Sequence, residues 1–396
     1  MKILSDCLAN KLTSPSLQPK PIRATIILLF FLAFCSKAAL SSIEEIHLPP
    51  GFKIDVFASD LGTPRFMAFS PDGVLFATII NGGKVVALPD KNKDGKADRV
   101  ITFISGLNRP HGIAFYRDYL YIGETDEIVR FKYNGFDSPP GKKEVIVPNL
   151  PIGGHFTRTV RFGPDGKMYV SIGSSCNICE EKDKRRAAIL QFNPDGTGGR
   201  IFAKGLRNAV GFTWRPGTEE MWATDNGRDW LGDNLPPEEI DIVKEGNHRD
   251  WGSNQEGGYL GNNYGWPYCY GDRIPDPRYN NADFCKSTTP PAFQMQAHSA
   301  PLGLTFYTGK LFPPQYRGDL FVAFHGSWNR SVPTGYKVVR IKIKNGKPEG
   351  IEDFATGWLK GSRAWGRPVD VVVGPNGGLY VSDDMGGVVY RITWSK

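Results

Sequence analysis

The 396-residue chain, 40% hydrophobic and 22% charged, has the balance of a folded globular protein and is long enough to bury a large core. Residues 1–38 hold five of the 48 Lys and Arg and one of the 41 Asp and Glu, so beyond them the formal charge of +7 falls close to neutral. No basic run or basic-aromatic face remains, and nucleic acid is not an expected partner.

At the N-terminus Lys20 and Arg23 precede an apolar run over residues 26–34, followed by Ser36, Ala38 and Ala39. About ten apolar residues are short for a bilayer span, so residues 1–38 read as a cleaved export signal. The other reading is a retained single-pass anchor, the one route by which this chain would touch a membrane. Export predicts a periplasmic or extracellular protein whose folded part is residues 43–396.

One unit then recurs: MAFSPDGVLFAT from Met67, GIAFYRDYLYIG from Gly112, VRFGPDGKMYVS from Val160, VGFTWRPGTEEMWAT from Val210, LTFYTGKLFPPQYRGDLFVA from Leu304 and VVVGPNGGLYVS from Val371. The aligned Phe69, Phe115, Phe162 and Phe212 lie 46, 47 and 50 residues apart, and the step of 94 to Phe306 predicts a long loop insertion over about 228–300. Short alternating strands at this period, with Gly/Pro turns and few helical patterns, describe an all-β, six-bladed β-propeller. The segment FKIDVFA near residue 52 is expected to complete the last blade. A β-sandwich is the alternative, but it does not predict the repetition.

Asp90, Asn92, Asp94 and Asp98 in DKNKDGKAD place hard oxygen donors at alternating positions with Gly95 at the bend, as a calcium loop requires. Position 12 is Ile101 instead of a bidentate Glu, so the loop reads as a structural Ca²⁺ site outside the EF-hand type, against a solvated turn. Four cysteines lie beyond residue 38. Cys269–Cys285 would close a Pro- and Asp-rich loop. Cys176 and Cys179 read as a local bridge, with a redox pair or half a metal site as alternatives. TDNGRDWLGDN, residues 224–234, offers Asp225, Asp229 and Asp233 to a second Ca²⁺, or to the arginines nearby.

In a propeller of hairpins, residues before each first strand and after each second strand share one face. Those before are Arg65, His111, His155 with Arg158, Arg207 with Asn208, His298, and Arg363 with Arg367. Those after are Asn81, Glu124 and Asp126, Ser174, Asp225 and Asn226, His325, and Asp383 and Asp384. Guanidinium groups beside neutral imidazoles suit a planar polyanion, with a divalent ion polarising one of its oxygens. Trp251, Trp266, Trp328 and Trp365 would supply flat walls. Asn329-Arg330-Ser331 is an N-glycosylation sequon that reads better as part of this loop face.

GGHFTRTVRFGPDGKMYVSIG, GLRNAVGFTW, TDNGRD, NNYGWP, VAFHGSWNR, WGRPVDVVVGPNGGLYVSDD and VVYRITW, in this order over residues 45–395, resemble the exported pyrroloquinoline quinone (PQQ) sugar dehydrogenases. The likeness includes the soluble aldose dehydrogenases and is closer to the sorbosone and fungal pyranose dehydrogenase branch. It implies a six-bladed propeller holding PQQ and Ca²⁺ at its mouth. His155 would be the general base as hydride passes from sugar to quinone. Arg207 would stabilise the quinone oxygen. Asn208, with Arg65, His111, Arg158, His325 and Arg367, would contact the cofactor. Gly227, Arg228 and Asp229 would surround the mouth Ca²⁺, acting as a Lewis acid. An external acceptor, a quinone or a cytochrome, would then take the electrons. The chain departs from the soluble glucose enzymes in having Gly227-Arg228 where they carry Gly-Pro, and His325 where they carry a lysine. A calcium-dependent propeller lactonase and a non-catalytic carbohydrate-binding propeller are the competing functions.

Overall fold

The computed structural model describes residues 43–245 and 262–395; the export segment and Trp251 lie outside them. Six four-stranded antiparallel sheets form the blades. Each repeat read from the sequence is the inner pair of one blade. These pairs are Pro64–Phe69 with Leu75–Ile79, Gly112–Tyr116 with Tyr119–Gly123, and Arg158–Phe162 with Met168–Ile172 in blades 1–3. Blades 4–6 use Phe212–Trp214 with Met221–Asp225, Pro301–Phe306 with Leu320–Phe324, and Pro368–Val373 with Leu379–Asp383. The first strands of successive blades contact one another all the way round, and that of blade 6 returns to blade 1. The protein is a six-bladed β-propeller.

The alternating pattern dictates this packing. Strands bury residues on both faces because each sheet lies between two others, and six apolar clusters fill the six blade interfaces. Phe52–Ala58 pairs with Val388–Trp394, Phe52 opposite Trp394, so the N-terminal strand closes the ring on the last blade. Turns follow their residue chemistry: at Pro164-Asp165-Gly166 the Asp165 carboxylate accepts from Lys167 N at 3.0 Å and Gly166 takes φ 73°.

The insertion falls inside blade 4, between its third strand, Glu238–Val243, and its fourth, Phe293–Met295. The span 228–300 read from the sequence therefore contains two blade strands. Within the insertion lie the short strands Cys269–Tyr270 and Ile274–Pro275 and the helix Ala282–Lys286, tied by the Cys269–Cys285 disulfide. Cys176 and Cys179 are also bridged, which removes the metal-site alternative for them.

Hydroxyl groups stitch the inner strands together. Thr78 donates to the His111 carbonyl at 2.9 Å, Thr159 to that of Val210 at 2.5 Å, Thr224 to that of Leu302 at 2.8 Å and Ser382 to that of Arg65 at 2.6 Å. These bonds tie blade 1 to 2, 3 to 4, 4 to 5 and 6 to 1. They fix the strand ends that carry the polar face.

Candidate active site

A hydrogen-bonded arc runs round that face. His155 N donates to the Ser174 carbonyl, and Ser174 N to the Arg207 carbonyl, at 3.0 and 2.8 Å. Arg207 Nη1 donates to the Asn226 carbonyl at 3.1 Å, and Asn226 Nδ2 to that of Pro301 at 2.7 Å. His325 N donates to the Ala300 carbonyl at 2.9 Å, His325 Nε2 bonds Asp384 Oδ1 at 2.9 Å, and Asp384 Oδ2 pairs with Arg65 Nη1 at 2.6 Å. Blades 3, 4, 5, 6 and 1 thus each contribute a group to one arc.

His155 is held by its ring. Nδ1 lies 2.9 Å from the Ser174 carbonyl oxygen and 3.0 Å from Ser174 Oγ. The hydroxyl gives its own proton to the Cys176 carbonyl at 2.7 Å. Both groups facing Nδ1 therefore accept, which puts the proton on Nδ1 and the lone pair on Nε2. Burial, with Arg207 nearby, pushes the imidazole pKa down to about 4. Gly173 makes the close approach possible, since a Cβ there would stand 2.4 Å from Asn208 Oδ1 and 2.7 Å from His155 Cβ.

Arg207 is fixed at every nitrogen. Nε donates to the Asn177 carbonyl and Nη2 to Asn177 Oδ1, both at 3.0 Å, and Nη2 lies 3.5 Å from Asp229 Oδ2. Its backbone N–H and that of Asn208 both donate to the Asp225 carboxylate, at 2.8 and 2.6 Å. Arg367 is placed in the same manner by the carbonyls of His325 and Gly326 at 2.9 and 2.8 Å. Burial pushes His325 down to about 4 against the pull of Asp384. Burial also works against charge on Asp384, but the bonds from His325 and Arg65 outweigh it and hold this carboxyl below its usual range.

Two of the expected cofactor contacts are turned inward. Arg158 is fully buried, and its guanidinium donates to the carbonyls of His155, Thr157 and Pro151. It braces the loop that presents His155. His111 is also fully buried and packs on Phe66 with ring centroids 4.3 Å apart. Below them Arg161 reaches from blade 3 to within 4.0 Å of Asp370 on blade 6, across the channel.

The acids of residues 224–234 do not converge as side chains. Asp225 holds the Arg207 and Asn208 amides, Asp229 accepts from Asn329 Nδ2 at 2.9 Å, and Asp233 accepts from Ser331. The sequon amide of Asn329 is thereby engaged. Gly227 N donates to Glu238 Oε2 at 2.9 Å, while Arg228 Nη1 grips both oxygens of Asp276 at 2.9 Å. Arg207, Asp225, Gly227 and Arg228 share the wall of a small cavity with Glu239 and Asp276. Behind it Asp225, Glu239 and Asp241 bring buried carboxylate oxygens within 4.8 Å of one another. Burial pushes Asp225 up to about 7 and Glu238 up to about 8.

In the Asp90 loop, Asp90 Oδ2 accepts from Gly95 N at 3.1 Å, Asn92 Oδ1 from Asp94 N at 3.1 Å, and Asp98 Oδ2 from Lys91 N at 2.8 Å. Asp90 Oδ1 is buried and has no partner. Of the tryptophans considered, Trp266 is buried and Trp365 is half-buried, bonded to the Gly357 carbonyl. Trp328 stands 66% exposed against Trp230, which is 66% exposed as well, with centroids 5.2 Å apart. The sequence did not single out Trp230 or Asn177, because what makes each matter is a partner about 30 to 100 residues away.

The structure defines the class as a six-bladed propeller whose rim joins buried imidazoles to anchored guanidinium groups. Residues 46–395 match the TrAA12-like family model, and the chain belongs to that family. It is 31% identical to an uncharacterized protein of Borreliella burgdorferi over 94% of this chain and 97% of that one. It is 25% identical to a pyrroloquinoline quinone-dependent pyranose dehydrogenase of Coprinopsis cinerea, over 88% of this chain and 54% of that protein, so the match spans about half the relative's length. The calcium structure of a Trichoderma reesei carbohydrate-active enzyme of family AA12 superimposes with a TM-score of 0.76 at 21% identity. It covers 88% of this chain and 97% of that one.

Proposed function

We propose that the protein is an exported, PQQ-dependent dehydrogenase that oxidises a sugar or a related polyol or osone. The observation that carries this reading is His155: a buried, neutral imidazole with Nδ1 tied to a carbonyl, its lone pair on Nε2, on one arc with Arg207. The export-type N-terminus and two disulfides support a site outside the cytoplasm.

The donor set fits a flat polycarboxylate cofactor. Arg65, Arg207 and Arg367 are held by the protein, and Arg65 Nε is buried with no partner of its own. These three groups with Asn208 and His325 would hold PQQ, and the Gly227 and Arg228 carbonyls with Asp229 would hold Ca²⁺. The bound pair would supply a two-electron acceptor and a polarising charge.

His155 Nε2 takes the proton of the sugar hydroxyl. A folded-state pKa of about 4 keeps that nitrogen free at neutral pH, though it also limits the driving force for proton transfer. Arg207 meets negative charge growing on the acceptor and costs no reorganisation, because Asn177, Asn226 and Asp225 already fix it. Arg158 keeps the His155 loop in place. Trp328 and Trp230 offer an exposed apolar face to a sugar ring at the rim.

The test is reconstitution with PQQ and Ca²⁺ and sugar-dependent dye reduction over aldoses, ketoses and osones, with the absorbance of the bound quinone followed as sugar is added. Reduction by one class of sugar is expected. Absence of both PQQ binding and turnover, with hydrolysis of lactones in the cofactor-free protein, would replace this reading by the hydrolase. Sugar binding without either activity would leave the carbohydrate-binding propeller.

A further inference from the structure

Asn177 lies between the two bridged cysteines, inside the four-residue ring that the Cys176–Cys179 disulfide closes. It makes four hydrogen bonds, all to blade 4 and the loop entering it. Its carbonyl accepts from Arg207 Nε at 3.0 Å; its Oδ1 accepts from Arg207 Nη2 at 3.0 Å and from Asp229 N at 2.7 Å; its Nδ2 donates to the Asp229 carbonyl at 3.1 Å. One residue, through its backbone carbonyl and its side-chain amide, therefore sets the plane of the Arg207 guanidinium, and the amide alone sets the path of the loop that follows Gly227. The same short loop also reaches His155, because the Cys176 carbonyl accepts the Ser174 hydroxyl whose oxygen faces His155 Nδ1.

Residues 174–181 contain no strand or helix. They are fixed by the disulfide, by the bonds from Ser174 N to the Arg207 carbonyl, from Ser175 to Glu181, from Tyr268 to Glu180 and from Arg278 to the Ile178 carbonyl, and by Ile178 packing on Trp266. An Asn side chain has two rotatable bonds, and aiming both its oxygen and its nitrogen at chosen partners costs less when its backbone is already confined.

We propose that Asn177 is a positioning residue for Arg207, and that the Cys176–Cys179 ring exists to hold it. The inference rests on the reading of Arg207 as a cofactor-binding group. Asn177→Ala keeps the backbone carbonyl that holds Arg207 Nε but removes the side-chain partner of Arg207 Nη2 and of the Asp229 backbone, and lowers PQQ affinity about ten- to hundred-fold, the size of loss typical when hydrogen bonds that orient metal ligands are removed. The Cys176→Ser/Cys179→Ser double variant shifts affinity the same way by a smaller factor.

The deciding experiment is a double-mutant cycle on PQQ dissociation constants from absorbance titration, with thermal unfolding of each apo protein beside it. If Asn177 acts through Arg207, Asn177→Ala has no further effect in the Arg207→Ala background. Additive losses, or an unchanged dissociation constant for Asn177→Ala, overturn the proposal while leaving Arg207 in its role. An Arg207→Ala protein that binds PQQ as tightly as the parent refutes the functional reading instead. Should Asn177→Ala fail to fold, Asn177→Ser, which keeps an acceptor oxygen, carries the same cycle.

Discussion

His155 Nδ1 is 2.9 Å from the carbonyl oxygen of Ser174, a backbone atom that itself caps the strand Met168–Ile172. A carbonyl cannot donate, so this contact chooses the tautomer and leaves Nε2 basic. With burial and Arg207 holding the imidazole at about 4, the free enzyme's kcat/KM stays level from neutral pH down to about pH 5 and declines around pH 4. An acid limb near 6.5 would show an unburied imidazole. His155→Ala is expected to lower kcat by about 10²–10⁴ with PQQ still bound.

Arg158 should behave as a brace. Its guanidinium satisfies the carbonyls of Pro151, His155 and Thr157 in a fully buried place. Arg158→Ala strands those oxygens, at about 1–3 kcal/mol for each one left without water. The expected result is a lower urea midpoint and a reduced kcat, with PQQ affinity changed little. Weakened PQQ binding at unchanged stability would instead make Arg158 a direct contact.

The propeller was legible because its information is local and repeated: each copy carries its own alternation and its own turn, with Gly in five of the six and Arg117 taking the positive φ in blade 2, and errors in one are corrected by five others. The same regularity located the rim, so His155, Arg207, His325 and Arg367 emerged together. Direction along the rim was not legible. Arg158 and His111 sit at rim positions in sequence, yet one turns back to its own loop and the other packs on Phe66. Asp225 read as a ligand for a metal or for the nearby arginines; its two oxygens accept the backbone amides of Arg207 and Asn208. Asn177 carried no signal beyond lying between two cysteines, since its partners come from another blade. The blade 4 insertion was sensed only as a missing period, and its blade strands were hidden inside the span.

Stability should fall as pH rises from about 6.5 to 8 in the metal-free protein. Asp225 and Glu238 have folded pKa values of about 7 and about 8, above the usual 3.8 and 4.5. The folded state therefore binds more protons than the unfolded chain up to those values, and their contribution is lost with rising pH. His155 and His325, at about 4 in the fold, act oppositely but only below about 6.5, where the unfolded imidazole protonates. From these four groups, thermal midpoints in chelator should change little between about pH 4.5 and 6.5, where the two imidazoles offset the two carboxyls, and fall above it, and Glu238→Gln should flatten that fall. A midpoint that rises from about pH 6.5 to 8 would refute the assignment.

Trp328 is expected to act on substrate and not on chemistry. Its ring is 66% exposed beside Trp230, and its neighbour Asn329 is bonded to Asp229, which pairs with Arg207. Exposed aromatic faces in pairs are costly to leave in water and bind the C–H face of a pyranose. Trp328→Ala should raise KM for sugars several-fold with kcat nearly unchanged. A fall in kcat at constant KM would mean that the ring holds the loop and not the sugar.

The Asp90 loop distinguishes a bound cation from a solvated turn. Its backbone amides already satisfy Asp90 Oδ2, Asn92 Oδ1 and Asp98 Oδ2, yet Asp90 Oδ1 is buried without a partner. Besides the loop's own lysines, Arg391 comes near, its Nη1 1.8 Å from where a Cβ on Gly95 would stand. If that guanidinium alone balanced the loop, calcium would add nothing. The orphan oxygen favours the metal: a ligand that binds only the folded state, at a hundred times its dissociation constant, stabilises by about 2.7 kcal/mol. Calcium should therefore raise the thermal midpoint of the parent protein, and Asp90→Asn should remove most of that increment while leaving PQQ affinity intact. An equal increment in parent and variant would assign the stabilising calcium elsewhere, with the mouth of the channel the next place to look.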